Sequence, residues 1–461
     1  MRPCFPRRLT MSQLPENRAT LPKATDPDAF RLCQNPLRAQ LLRFAGVHAC
    51  PTLQASSGVI ARKTGLGDFQ PSSPGVHNFA LLSAFEATAR ASLISIFPVL
   101  MYRSLGDAKV VSEVYLGIGL LSMVFALLTP MIGRVVPRRW LYSFASLTML
   151  FGIIVGGFGD ISLIPLAVAL NAIALIILTV CHSAYLMDYI ERTSMGRNET
   201  LRLLYSGLPW TVGPYLGVWL MDRQPLAPFI LAGSASLCQL GYFWYLRMGD
   251  GKAIARALRP PVNPVAYMPR FFRQPLLLAG WFFAAIRSAG WNIYIVYVPI
   301  FAIEAGMTEQ IGGLTLSISN AFLFVTPLML RMLTHAGVRL MIAGGFVFSG
   351  LLFVVAMFAA PVPYLAILLL LAATFFLVSL DVTAGLPFLM SVKPSERAEM
   401  AAIYATFRDV SGVISPAMAR AVLVFAPLPA VFGVCGLSLL ACGLLARKLH
   451  PRLGHKRLQA D

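Results

Sequence analysis

The chain has 461 residues, 57% of them hydrophobic and only 13% charged, where soluble domains carry roughly a quarter charged residues. Its formal net charge is +18, but the basic residues sit in tails and short segments between apolar runs, a pattern that fits membrane loops and argues against a nucleic-acid partner. Seven cysteines, at 4, 33, 50, 181, 238, 435 and 442, form no Cys-x-x-Cys pair, so neither a disulfide framework nor a metal site is expected.

Residues 1–76 carry ten Lys and Arg between Arg2 and Lys63, with scattered prolines and no spanning segment. The composition predicts a disordered, cytoplasmic extension. A weak surface-lying helix over residues 30–44 and translation from near Val76 are the other readings. No apolar core follows the early arginines, so a secretory signal is not expected.

Twelve apolar runs follow, each near the roughly 20 residues that a helix needs to cross a bilayer. Six lie in a first bundle, residues 77–247, at about 79–101, 111–133, 140–158, 162–187, 200–221 and 226–246. Six lie in a second, residues 274–447, at about 274–302, 311–330, 339–360, 362–389, 400–423 and 428–446. The stretch 248–273 between them is basic and broken by Gly and Pro, which predicts a water-exposed linker. Residues 448–461 form a basic tail. The expected fold is an all-α polytopic membrane protein of twelve transmembrane helices in two pseudo-symmetric six-helix bundles. Short loops suggest a bacterial inner membrane.

Lys and Arg set the orientation. One set of loops holds Arg134, Arg138, Arg139, Arg192, Arg197, Arg331, Arg339, Lys393 and Arg397, besides the linker and tail; the other holds Arg103, Lys109 and Arg223. Both termini are therefore expected on the cytoplasmic side.

The two bundles repeat each other. Thr129-Pro130-Met-Ile-Gly-Arg134 matches Thr326-Pro327-Leu-Met-Leu-Arg331 at an offset of 197. Arg197-Asn-Glu199 matches Arg397-Ala-Glu399 at 200, and Phe97-Pro98 matches Val298-Pro299 at 201. Three matches in order, each six spans apart, indicate a parallel repeat about an axis along the membrane normal. Arg134, Arg138, Arg139, Arg331, Arg197, Glu199, Arg397 and Glu399 are read as a cytoplasmic gate.

With these elements the sequence resembles the major facilitator superfamily over about residues 78–448. The family's loop after span two usually reads Gly-x-x-x-Asp-Arg-x-Gly-Arg-Arg; here Arg134 takes the first arginine and Arg138-Arg139 the final pair. Gly133 stands where the family has Asp, and Pro137 where it has Gly. In span five, Gly213-Pro214-Tyr-Leu-Gly217 resembles the Gly-Pro core of the family's antiporter motif, which implies export; a bend that lets helices pack closely is the other reading.

Ionisable groups inside spans are expensive in lipid and usually face a cavity or one another. Glu86 and Arg90 lie four apart on one face of span one, and Arg287 lies in span seven. Glu86 precedes Pro98 by twelve residues and Arg287 precedes Pro299 by twelve, so the two are symmetry-equivalent. In the resembled fold spans one and seven line the central cavity, and a Glu86–Arg287 pair across it is one reading; a local Glu86–Arg90 pair is the other. Asp381 in span ten has no evident partner of opposite sign and is either a proton carrier or the cap of a break before Gly385 and Pro387. His182 is an interior hydrogen-bonded histidine or a proton carrier. Arg408 and Asp409 in span eleven, and Asn292 beside Trp291 in span seven, complete the candidate pathway.

There is no P-loop lysine motif and no catalytic constellation, so neither an ATP-driven pump nor an enzyme is expected. The reading is a monomeric secondary transporter in the lipid bilayer, without cofactor, driven by an ion gradient of protons. Glu86 and Asp381 are the candidate carriers; Arg90, Arg287 and Arg408 would recognise an anionic or zwitterionic small-molecule solute. A proton-driven exporter of amphiphilic compounds is the runner-up, and a transporter-like sensor or assembly protein a third reading.

Overall fold

A computed structural model describes residues 76–189, 195–248, 264–383 and 403–447, with a few positions between 384 and 402. Every regular element there is helical, which is how a chain in hydrocarbon satisfies its own backbone. The first half contains α1 (Val76–Ala91), α2 (Ile96–Leu105), α3 (Ala108–Val135), α4 (Arg138–Phe158), α5 (Ile164–Tyr189), α6 (Met195–Arg223) and α7 (Ala227–Met248). A short helix, α8 (Pro264–Phe272), precedes the second half: α9 (Pro275–Glu304), α10 (Glu309–Ala321), α11 (Thr326–Ala336), α12 (Val338–Phe358), α13 (Pro363–Thr383), α14 (Phe407–Leu423) and α15 (Pro429–Ala446).

Ten segments among the described residues are long and apolar enough to span a membrane. The other two expected spans are helical as well. In α6 the residues Arg197, Glu199 and Arg202, and in the shorter α14 the residues Arg408, Asp409 and Arg420, dilute the apolar run.

Three boundaries differ from the sequence reading. The first span is not one helix: residues 92–95 form a turn in which Leu93 N–H bonds to Arg90 and Ile96 N–H to Leu93. The Ser92 hydroxyl donates to the Thr88 carbonyl at 2.9 Å, supporting the break with a side chain. The eighth span likewise passes through a 3-10 turn, Phe322–Val325, just before the Thr326-Pro327 that marks the repeat. In the linker, residues 264–272 are helical rather than open chain, because Phe271 is buried against Leu277 and Phe388.

Helix α4 shows how sequence sets the packing. Phe144, Leu147, Phe151, Ile154 and Phe158 recur at three- and four-residue steps and are exposed, a stripe suited to lipid; Tyr142, Ala145, Met149 and Ile153 on the other side are buried. Each half has its own core, around Tyr142, Met149 and Leu178 in the first and Phe346, Leu370 and Phe432 in the second. The second core also takes in Met101, Val111 and Ile164 of the first half. All three lie toward the ends of their helices away from the 249–263 connector, here called the far end.

The glycines of the Gly213-Pro214-Tyr-Leu-Gly217 stretch let α6 press against the break in the first span. A Cβ added at Gly217 would lie 1.9 Å from the Ser92 carbonyl oxygen, and one at Gly213 2.6 Å from Ala91 Cβ. Gly217→Ala is therefore expected to destabilise the protein by about 1–3 kcal/mol, the usual penalty of overpacking. Gly117→Ala, where a Cβ meets nothing within 4 Å, should not destabilise it. Thermal unfolding in detergent compares the two; equal midpoints would show that α6 gives way freely.

Candidate functional site

Among the described residues, a charged cluster forms where α9, α13 and α14 meet. Arg287 and Trp291 stand one turn apart on α9, and both reach Asp381 of α13. Arg287 Nε lies 3.1 Å from Asp381 Oδ1, and Trp291 Nε1 donates to Oδ2 at 3.1 Å. The Arg287 Nε–H is not aligned as a hydrogen bond, so charge rather than direction holds that contact. Arg287 Nη1 donates instead to the Leu380 carbonyl at 3.5 Å. The side chains of Arg287 and Asp381 retain 13% and 32% of their surface, so the acid is the more accessible partner.

Helix α14 supplies the third wall. The Phe407 ring centroid lies 5.4 Å from the Arg287 guanidinium carbon and 5.6 Å from that of Arg408, within cation–π reach of both. One residue along α9, Ser288 accepts a hydrogen bond from Ser411 at 2.7 Å, and Asn292 Nδ2 donates to the same hydroxyl at 3.4 Å. Trp281 Nε1 donates to Thr406 Oγ1 at 3.1 Å. These polar bonds fix the register of α9 against α14 and thereby hold Phe407 beside Arg287.

The first half contributes a second pair. Arg90 Nη1 lies 3.4 Å from Glu86 Oε1 on the same helix, and its guanidinium stands 5.1 Å from the Trp210 ring centroid of α6. Glu86 thus pairs within its own helix, not with Arg287. His182 Nε2 lies 3.3 Å from the Ser83 hydroxyl, and its ring meets Phe79 edge-on. Arg408 lies within electrostatic reach of Arg287 and also of Arg202 and Arg90 from the other half, with Asp409 as the nearby opposite charge. Among the described residues Arg408 has no carboxylate within ion-pair distance.

Asp381 therefore does not lack an opposite charge, as the sequence reading had it. Its partner lies 94 positions earlier, on a helix that only the tertiary fold brings near. Of the expected gate, Arg138 and Arg139 open α4, Arg331 lies in α11, and Arg134 falls in α3. Arg197 and Glu199 fall within α6 rather than in a loop. The side chains of Arg134, Arg197 and Glu199, and all of Arg397 and Glu399, lie outside the described residues.

A set of contacts between the halves at the far end escaped the sequence reading. Arg103 pairs with Glu309, Gln310 Nε2 donates to Asp222 at 2.6 Å, and Arg420 Nε lies 2.9 Å from Glu113. The Ser112 and Tyr297 hydroxyls stand 2.7 Å apart, and Ser317 Oγ accepts from the Tyr215 amide at 2.9 Å. Backbones of the two halves nearly touch as well, deeper in the membrane body: a Cβ on Gly119 would lie 2.5 Å from the Gly412 carbonyl oxygen, and one on Gly313 2.8 Å from that of Pro214. The acids near 107–113, 222 and 309 read in sequence as ordinary loop-edge charges, and nothing local marks their partners.

The central pair and the far-end pairs should differ in energy. Asp381→Asn leaves the largely buried Arg287 without its carboxylate and is expected to cost about 1–3 kcal/mol, partly recovered in the Asp381→Asn/Arg287→Gln double variant. The exposed Glu113–Arg420 pair should couple by less than about 1 kcal/mol. Double-mutant cycles on detergent unfolding check both; equal couplings would refute the distinction.

The sequence profile of the Major Facilitator Superfamily matches residues 79–416. Among solved structures, this fold is similar to a POT family transporter in complex with 5-aminolevulinic acid, with a TM-score of 0.69 at 12% identity, covering 84% of this chain and 98% of that one. It is similar to a peptide transporter POT in complex with sulfate, at TM-score 0.64 and 15% identity, with coverages of 84% and 96%. The nucleoside transporter NupG aligns with TM-score 0.59 at 12% identity, over 81% of this chain and 98% of its own. No curated protein sequence matches significantly.

Proposed function

The chain belongs to the major facilitator superfamily of membrane transporters, and from that premise we propose a secondary transporter that moves a small anionic or zwitterionic solute by alternating access, coupled to protons. The observation that carries the reading is the Arg287–Asp381–Trp291 contact with Arg408 on the adjoining ring of Phe407. It combines a carboxylate that can take a proton with a guanidinium that can take an anion, on three helices of one half. The contacts Arg103–Glu309, Asp222–Gln310 and Glu113–Arg420 lie at the far ends of α2, α3, α6, α10 and α14, and on this reading they seal that end of the charged site.

The arginines of the connector-side loops support placing that side in the cytoplasm and the protein in a bacterial inner membrane. Transport needs no bound cofactor on this reading, and a single chain holds the whole site. The Gly213-Pro214 stretch is accounted for by its contact with Ala91 and Ser92, so it supplies no argument for export.

The test is uptake into proteoliposomes of a library of carboxylates, phosphate esters and amino acids, with and without an inward proton gradient. A carried solute is expected to accumulate only with the gradient. Asp381→Asn should lose gradient-driven accumulation at least about tenfold while keeping downhill exchange, and Arg287→Gln should lose both. Flux that ignores the gradient, or survives in both variants, would move the coupling site elsewhere. Folded protein that carries nothing would sink the transporter reading.

A further inference from the structure

Helix α8 is docked by one ring and open at another. Phe271 is fully buried, with Leu277 of α9 and Phe388 around it. Phe388 stacks on Tyr404 at 4.2 Å, and Tyr404 meets Phe407, the ring beside Arg287 and Arg408. A row of rings thus fixes the helix to the second half. The outer side is different. Met268 and Phe272, four apart and so on one side, are 40% and 41% exposed, and the Phe272 ring lies 6.1 Å from that of Trp281 on α9. Leu278 and Phe282, on the same side of α9 as Trp281, are exposed as well. At 3.6 residues per turn they lie opposite Arg287 and Trp291, so this apolar surface points away from the charged cluster.

The charges around α8 are of one sign. Arg270 and Arg273 are exposed, and Lys252, Arg256 and Arg259 precede the helix in the sequence. No Asp or Glu occurs between Asp250 and Glu304. Exposed apolar side chains flanked by arginines at the end of a span have the composition of a helix that lies on a membrane. We propose that α8 lies along the connector-side membrane surface and binds an anionic phospholipid there, with Met268 and Phe272 against the acyl chains and Arg270 and Arg273 at the headgroup phosphate. Charge selects this occupant. Residues 1–75, residues 448–461 and a second copy of α8 are all net basic, and the same arginines would repel them.

The local backbone supports that pose. The Gln274 amide donates to the Phe271 carbonyl at 3.1 Å and Pro275 opens α9, so the chain turns between the two helices. Below the turn a Cβ added at Gly280 would lie 3.1 Å from the Phe388 amide nitrogen, which leaves the slot around Phe271 no spare width. Arginines held at phosphates keep α8 on the surface, and the buried ring then keeps its place in that slot. The lipid contact requires no transported solute, so a chain that carries nothing would still make it.

The experiment places the full chain, one copy per nanodisc, in equal parts of phosphatidylglycerol and phosphatidylcholine. In one membrane the phosphatidylglycerol chains are brominated, in the other the phosphatidylcholine chains, so headgroup composition and bromine density are the same. Bromine quenches Trp fluorescence only at close range, and the Trp281 signal is the difference between the wild type and Trp281→Phe. Phe272→Trp, at an exposed position, adds a second reporter on α8 itself. Brominated phosphatidylglycerol is expected to quench both reporters more strongly, to the extent of about a tenfold local enrichment, which two surface arginines can supply. Arg270→Gln/Arg273→Gln should bring the two membranes level. Arg2→Gln/Arg7→Gln, with the same change in net charge, should keep the difference. Equal quenching of the wild type in the two membranes, a preference kept in the α8 variant, or one lost in the Arg2 and Arg7 variant would each overturn the proposal. Absence of quenching in both membranes would show that protein covers the apolar side of α8, and would overturn it as well.

Discussion

Hydrocarbon offers no partner to a backbone amide, and this constraint organises the whole molecule. It turns the chain into helices and leaves side chains as the only variable polarity between them. An acid in such a setting persists only where neighbours compensate it. Asp381 has both carboxylate oxygens addressed, one by Arg287 and one by the Trp291 indole, from successive turns of a single helix. That economy ties α9 to α13 through one face, and the Ser288, Asn292 and Ser411 bonds on the next register tie α9 to α14. The charged centre of the second half is held from two sides, because two adjacent stripes of one helix bind two different neighbours.

Between the halves the same constraint acts through small residues. Where Gly119 meets Gly412 and Gly313 meets Pro214, backbones approach so closely that any side chain would intrude. Close approach brings dispersion contacts and lets short polar side chains such as Ser112 and Ser317 reach across. The Glu113–Arg420 ion pair at the rim of this contact is exposed and individually weak. A seam of that kind, tight in the packed interior and lightly latched at the edge, joins two bodies that keep separate cores.

The repeat was legible because it is written in local marks: prolines, a Thr-Pro-x-x-x-Arg end, and arginines on alternate loops. The span ends followed from where apolar runs stop. The break at 92–95 was not legible, since Ala91-Ser-Leu-Ile-Ser95 is ordinary helix sequence; its cause is the Gly213–Gly217 face of α6, more than a hundred residues away. Asp381 looked solitary for the same reason. A local signal for its partners did exist: Arg287 and Trp291 share one face at a spacing of four, a cation and a donor aimed together. Arg202 lies inside the expected span 200–221 but was not singled out as a site residue; the helix begins five residues before that span, at Met195.

The symmetry between Glu86 and Arg287 suggested a bond across the cavity, and the structure instead neutralises each within its own half, by Arg90 and by Asp381. The difference matters mechanically. Two bodies that rock against each other around a central site would have to break a cross-cavity pair in every cycle, at a cost set by the low dielectric around it. With each charge compensated inside its own body, the halves can move as units and the strong ion pair stays intact unless something else claims its arginine. Of the far-end pairs that cross between the halves, Glu113–Arg420 is exposed and cheap to part, whereas Glu309 beside Arg103 is largely covered. A charge pair such as Arg287–Asp381 kept inside one body, with an exposed pair such as Glu113–Arg420 between bodies, is an arrangement that lets a protein of this architecture change shape without first paying to desolvate that buried charge.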